Sequence, residues 1–229
     1  MSETNAGTMP FALGGFITGL AIMGVVKYNM YKNTTGPVPP VLDLAFIGVM
    51  GLLMYGINSE IMKSRCGSSN VATVVTATVV PWVVMFGLMV ATLHFFPGWK
   101  QPFSNTIGYA ATLLAGGHQA IIDVVDDKSE TFKYILESPA LLINQFSLFN
   151  FNETLPKVAP SADPSKVAVF RNIVLLKEVV AEMAWYLLTG FIIITTSYNI
   201  ILNYKCTITE VTPPPPQQAP ATREYEVTE

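Results

Sequence analysis

"KVAVFRNIVLLKEVVAEMAWYLLTGFIIITTSYNIIL", residues 166–202, decides the fold. Its second half, Met183–Leu202, is an apolar run of about the 20 residues that a helix needs to cross a bilayer core of roughly 30 Å. Its first half has the same helical character but carries charge. Arg171, Glu178 and Glu182 fall at i, i+7 and i+11, near one face, and read either as a solvated stripe or as a docking face for a neighbouring protein. Asp163 or Ser165 is placed to cap the start. If unbroken, such a helix has about 40 residues and measures roughly 57 Å at 1.5 Å per residue. It must then project well outside the lipid.

Working outward, three further runs have spanning length: Met9–Tyr28, Val41–Asn58 and Asn70–Phe96. A weaker one, Phe103–Ile122, contains His118 and Gln119 and reads as a fifth span, with a re-entrant or interfacial helix as its rival. The composition agrees. Hydrophobic residues make up 51 % of the chain and charged residues only 13 %, about half the charged share of an ordinary soluble domain. The fold class expected is therefore all-α: a polytopic helical membrane protein with four strong and one weaker transmembrane helix, plus a small extramembrane module. The expected organisation is residues 1–122 for helices 1–3 and the weaker helix 4, 123–182 for a polar or interfacial module and the long helix, 183–203 for the last span, and 204–229 for a tail. Pro213, Pro214, Pro215 and Pro216 make that tail a stiff polyproline segment, a candidate tether to a partner.

The connections fit a membrane protein. "NTTGPVPP" is a tight Pro-rich turn and "SEIMKSRCGSS" is short and polar. In "HFFPGWKQPFSNTIGY", residues 94–109, Pro97-Gly98 ends one helix and Pro102 starts the next. Phe95, Phe96, Trp99, Phe103 and Tyr109 are rings of the kind that gather at the lipid–water boundary, and Trp99 is the expected anchor. A catalytic loop is the weaker reading, because no base, nucleophile or metal ligand accompanies it.

Chemistry is sparse elsewhere. A net charge of −3 gives no phosphate-binding surface for nucleic acid. Cys66 and Cys206 form no metal pattern, and one bridge between them is open. His94 and His118 lack carboxylate partners. Asp43 sits in the first turn of its helix, where the dipole favours an anion. Asp123, Asp126 and Asp127 read as a solvated acidic patch. No catalytic residue, cofactor or metal is expected, and the protein reads as non-enzymatic. Gly15 and Gly19 form a GxxxG pair suited to close helix packing, within the chain or between copies in self-association. With five spans, the distribution of Lys and Arg favours a cytoplasmic N-terminus. The sequons at Asn33 and Asn152 then lie on opposite faces; with four spans they share one.

Pro97-Gly98-Trp99-Lys100, then Pro102-Phe103-Ser104-Asn105-Thr106 and Gly108-Tyr109, resemble a segment of membrane proteins of large icosahedral DNA viruses of the chlorella-virus kind. The resemblance covers about fifteen residues. It implies a minor structural protein of the virion's internal membrane, linking lipid to the capsid shell or other virion proteins, and brings no catalytic residues. A small channel or transporter remains the alternative, with a polar path through Thr73, Thr76, Thr78, Thr195, Thr196, Ser197 and Asn199, although such hydroxyls commonly bond back to their own helix.

Overall fold

The computed structural model describes residues 8–32, 34, 40–125 and 138–206. All regular structure among them is helical. Four helices are long and apolar enough to span a membrane: α1 (Thr8–Tyr31), α2 (Val41–Cys66), α3 (Val71–Phe95) and α8 (Pro164–Asn203). They form an antiparallel bundle. Between α3 and α8 the chain makes a one-turn 3-10 segment at Pro97–Lys100, then α4 (residues 101–114), α5 (Gly117–Val124), α6 (Pro139–Gln145) and α7 (Phe151–Val158). These short elements build a head on one face of the bundle.

The spans are apolar on the outside as well as the inside. Phe11, Leu52 and Leu88 are 70 %, 74 % and 64 % exposed, which water would not tolerate over so wide a belt but lipid does. Inside, Phe16 of α1 is completely buried at the centre of an aromatic cluster. It meets Trp82 edge-on at 5.9 Å and Phe86 at 6.2 Å, while Trp82 and Phe86 stack at 4.9 Å. Pro81 has no N–H to give the preceding turn, and α3 passes it through a π-helical turn at Trp82–Phe86 rather than breaking.

Helix α8 is unbroken over 40 residues, as its sequence leads one to expect, with Pro164 in the first turn and the Asp163 carboxylate accepting from Ser165 N–H at 2.8 Å and Ser165 O–H at 2.7 Å. Those bonds hold the Asp163 carboxyl below its ordinary pKa. The lower part of α8 completes the bundle. The upper part is wrapped by the head, where Phe146, Phe151 and Phe170 form a second aromatic core.

Two expectations are corrected. The weaker run, residues 103–122, is not a fifth span. Gly116, at φ 80°, lies between α4 and α5, a conformation that interrupts a helix at little cost for glycine. Residues 101–124 therefore belong with the head: Ala120, Ile121 and Val124 lie in its core beside Phe170 and Ile173. Four spans put the two ends of the bundle's chain on one face, so the cytoplasmic N-terminus inferred from five loses its basis. Gly15 and Gly19 serve packing within the chain. A Cβ on Gly19 would sit 2.9 Å from Met50 Sδ, and one on Gly15 3.8 Å from Leu53, so α2 packs against this pair, the first of the two uses its spacing suggests.

Cys66, at the end of α2, and Cys206, just beyond α8, are joined by a disulfide with Cα atoms 5.3 Å apart. It staples the face opposite the head. Arg65 adds a hydrogen bond to the Ile201 carbonyl there, and Gly67, at φ 71°, ends α2 with its N–H on Lys63 O.

The tightest helix contacts use other glycines. A Cβ on Gly190 would lie 2.1 Å from Phe16 Cζ, and one on Gly108 only 2.5 Å from the Lys177 carbonyl oxygen. Gly190→Ala and Gly108→Ala should each destabilise by about 1–3 kcal/mol, as overpacking does, with Gly108→Ala the worse because backbone cannot step aside. Gly87→Ala, with nothing within 4 Å, is the neutral control; thermal unfolding in detergent reads all three. Topology has its own test on a Cys66→Ser/Cys206→Ser background. Thr34→Cys and Asn152→Cys should be labelled from one side of sealed vesicles and Ser68→Cys from the other, whereas five spans would separate the first pair.

Candidate functional site: a charged cleft at the junction of bundle and head

Where α1 ends and α2 and α8 pass each other, ionisable side chains turn inward. Lys27 is one turn from the end of α1, Asp43 is in the first turn of α2, and Glu182 lies on the facing side of α8. All three are buried. Lys27 Nζ donates to Asp43 Oδ1 at 2.7 Å and also to Glu182 Oε1. Glu182 accepts further from Tyr186 O–H at 3.0 Å and, through its other oxygen, from Lys100 Nζ at 3.1 Å. A buried carboxylate needs such saturation, because desolvation outweighs a single ion pair. One turn away, Glu178 Oε1 accepts from Ser104 O–H at 3.2 Å. The π-helical turn at Ser104–Gly108 brings α4 close enough to α8 for this bond. Burial alone would pull the Lys100 ammonium down, but the Glu182 and Glu178 carboxylates overcome it and set its pKa above the ordinary lysine value. Lys100 therefore stays charged at neutral pH.

On the other side of α8, Lys177 is 1 % exposed. Its ammonium donates to Ile143 O at 3.0 Å and Phe146 O at 2.7 Å, carbonyls at the C-terminal end of α6, where the helix leaves acceptor capacity unused. This lysine ties the head to the long helix.

The ion pairs line a cleft of about 430 Å³ bounded by the ends of α1 and α3, the start of α2, the loop and helix at residues 147–152, and α8. That volume lies within the range of small-ligand sites. The aromatic band lies at the same level. Trp185 donates its indole N–H to Trp99 O at 2.8 Å and meets Phe103 edge-on at 4.9 Å. Trp99 itself is 56 % exposed, as an interfacial side chain would be.

Trp99 is therefore exposed, but Glu178 and Glu182 do not form the outward stripe that their spacing suggests. They are turned into the cleft, because α8 is covered on that face by α1 and α4. Arg171 is half-buried and lines the same cleft. Pro213, Pro214, Pro215 and Pro216 lie outside the described residues, as do Asn33, Asp126 and Asp127. His94 is exposed at the end of α3, His118 is exposed in α5, and no bond joins them. Among the described residues no group of three or more His, Cys, Asp or Glu is placed to hold a metal.

No family model, curated protein or solved structure matches this chain.

Of the polar groups expected to line a channel, Thr78 and Ser197 are spent inside the bundle and Thr195 on its own helix, while Thr76, Thr196 and Asn199 are exposed on the outer faces of α3 and α8. Asn58 Nδ2 donates to Thr78 Oγ1 at 2.8 Å and Ser197 Oγ at 2.6 Å, and Thr195 bonds back to Phe191 O at 2.8 Å. The two Asn58 bonds are interhelical, and such bonds hold spans together where lipid offers no alternative partner. Sequence reasoning missed Lys27, Lys100, Lys177 and Asn58 as partners. The signal available was the recurrence of a lone ionisable group near the end of each of several apolar runs.

Glu182→Gln leaves two ammonium groups facing an uncharged amide in a buried site. It should cost about 3–5 kcal/mol, as removal of one member of a buried pair does, and lower the unfolding temperature in detergent. Trp99→Phe should change that temperature little.

Proposed function

We propose that this chain is a structural membrane protein: four spans anchor it, and the head presents a surface to a protein layer lying along one face of the bilayer. The observation that supports this most is α8. At 40 residues it extends roughly 60 Å, about twice the thickness of a bilayer core, and its two halves are fixed to different bodies. Below, it packs on α1 through Gly190; above, Lys177 and the Phe170 cluster bind the head. A force on the head is passed to the spans without a flexible joint.

The resemblance of residues 97–109 to membrane proteins of large icosahedral DNA viruses extends this reading to a virion. The bilayer would be the internal membrane and the protein layer the capsid shell. For orientation, we infer that the head lies on the cytoplasmic side. Lys32, Lys100, Lys157, Lys166 and Arg171 are on the head side, against Lys63, Arg65 and Lys205 opposite, as the positive-inside rule favours. The disulfide then faces an oxidising compartment, where such bonds persist.

Exposed apolar residues on the head, Leu141 at 69 % and Val169 at 56 %, are the sites where a protein layer would show its effect. Leu141→Glu and Val169→Glu should leave membrane insertion and unfolding temperature unchanged while reducing incorporation into the assembly severalfold. A photo-crosslinker at position 166 should capture a component of that layer. Wild-type incorporation of both variants, with position 166 reaching lipid alone, would refute the anchor reading.

A further inference from the structure

We propose that the junction cleft is a binding site for the headgroup of a phospholipid that carries a primary ammonium, a phosphoethanolamine lipid. The argument starts from which charges are already satisfied. Glu182 is saturated by Lys27, Lys100 and Tyr186, and Asp43 is paired with Lys27. Two groups in the cleft are not so committed. The Arg171 guanidinium has no hydrogen-bond or ion-pair partner among the described residues, and the buried Glu178 carboxylate, which shares the field of the Lys100 ammonium with Glu182, accepts a hydrogen bond only from the Ser104 hydroxyl, on one of its oxygens. An arginine held half-buried without a counter-ion presents a planar fork of N–H donors that matches a phosphate.

The two groups stand two turns apart along α8, about 10 Å in rise. A ligand that satisfies both must carry an anion at one end and a hydrogen-bond-donating cation at the other. A phosphate at Arg171 with an ammonium at Glu178 meets that demand. A quaternary ammonium does not, because it has no N–H to give a carboxylate. A headgroup carrying phosphate without an ammonium leaves Glu178 facing a second anion.

The position of the cleft identifies the source as lipid rather than a free metabolite. It opens where α1, α2 and α3 reach the boundary, beside the Trp99–Trp185 band. Phe95 and Phe149, 72 % and 82 % exposed, both line it. These rings give acyl chains an apolar path from the polar end of the cleft into the bilayer. The site would secure the head at a fixed depth, independently of what the head binds.

The full-length protein, purified in detergent, is exchanged into phosphatidylethanolamine, phosphatidylglycerol or phosphatidylcholine of identical acyl composition, and retained lipid is measured by native mass spectrometry. Wild type should retain phosphatidylethanolamine about tenfold better than either competitor, the value of one charge-assisted hydrogen bond. Arg171→Gln should lower retention of all three. Its guanidinium makes no hydrogen bond or ion pair among the described residues, so this variant is expected to unfold at the wild-type temperature. Glu178→Gln should abolish the preference over phosphatidylglycerol; if it does not fold, the wild-type preference and Arg171→Gln decide. Equal retention of the three lipids, undiminished retention by Arg171→Gln, or equally tight binding of free phosphoethanolamine overturns the proposal.

Discussion

Glu182 is a carboxylate held at the edge of a bilayer by three elements that would not otherwise meet there. Lys27 reaches it from the first span, Lys100 from the turn that begins the head, and Tyr186 from its own helix. No two of these could neutralise it as fully, since Lys27 is shared with Asp43. The demand for neutralisation thus fixes the register of α1 against α8 and α2 and the height at which the chain turns away from α3. An ion pair of this kind contributes little net stability compared with a well-packed apolar substitute. Its effect is specificity: few other arrangements of these helices bury the same charges with partners.

Around this fixed point the bundle is built by shape. Lipid supplies no hydrophobic force between spans, so helices associate by close contact and interhelical hydrogen bonds. Gly190 lets Phe16 lie against the backbone of α8, and Asn58 joins α2 to α3 and α8 at once. The head follows different rules. Its aromatic core and the Lys177 bonds to α6 are assembled around the upper half of α8.

The sequence made the spans legible because spanning length is a one-dimensional property, and so was the continuity of α8, with its acidic cap and no interior proline. The site was much less legible. Arg171, Glu178 and Glu182 were visible as a face, but whether a face points to water or to protein depends on what packs against it. Here α1 and the residues after Trp99 cover it, and neither contact leaves a mark in local sequence. The run at residues 103–122 misled for a related reason. Its hydropathy reports that it is buried, and burial against the upper half of α8 looks, in composition, like burial in lipid. Gly116 was the local clue, since it places a break where a span would need continuity.

The bond between Cys66 and Cys206 closes a separation of 140 residues. During synthesis the first thiol emerges long before the second exists, and it must wait, unpaired, while α3, the whole head and α8 are made. Only when the last helix has crossed and its end has come alongside α2 can oxidation occur. The bond is therefore a record of completed insertion: a full-length chain whose last helix has not come alongside α2 cannot form it.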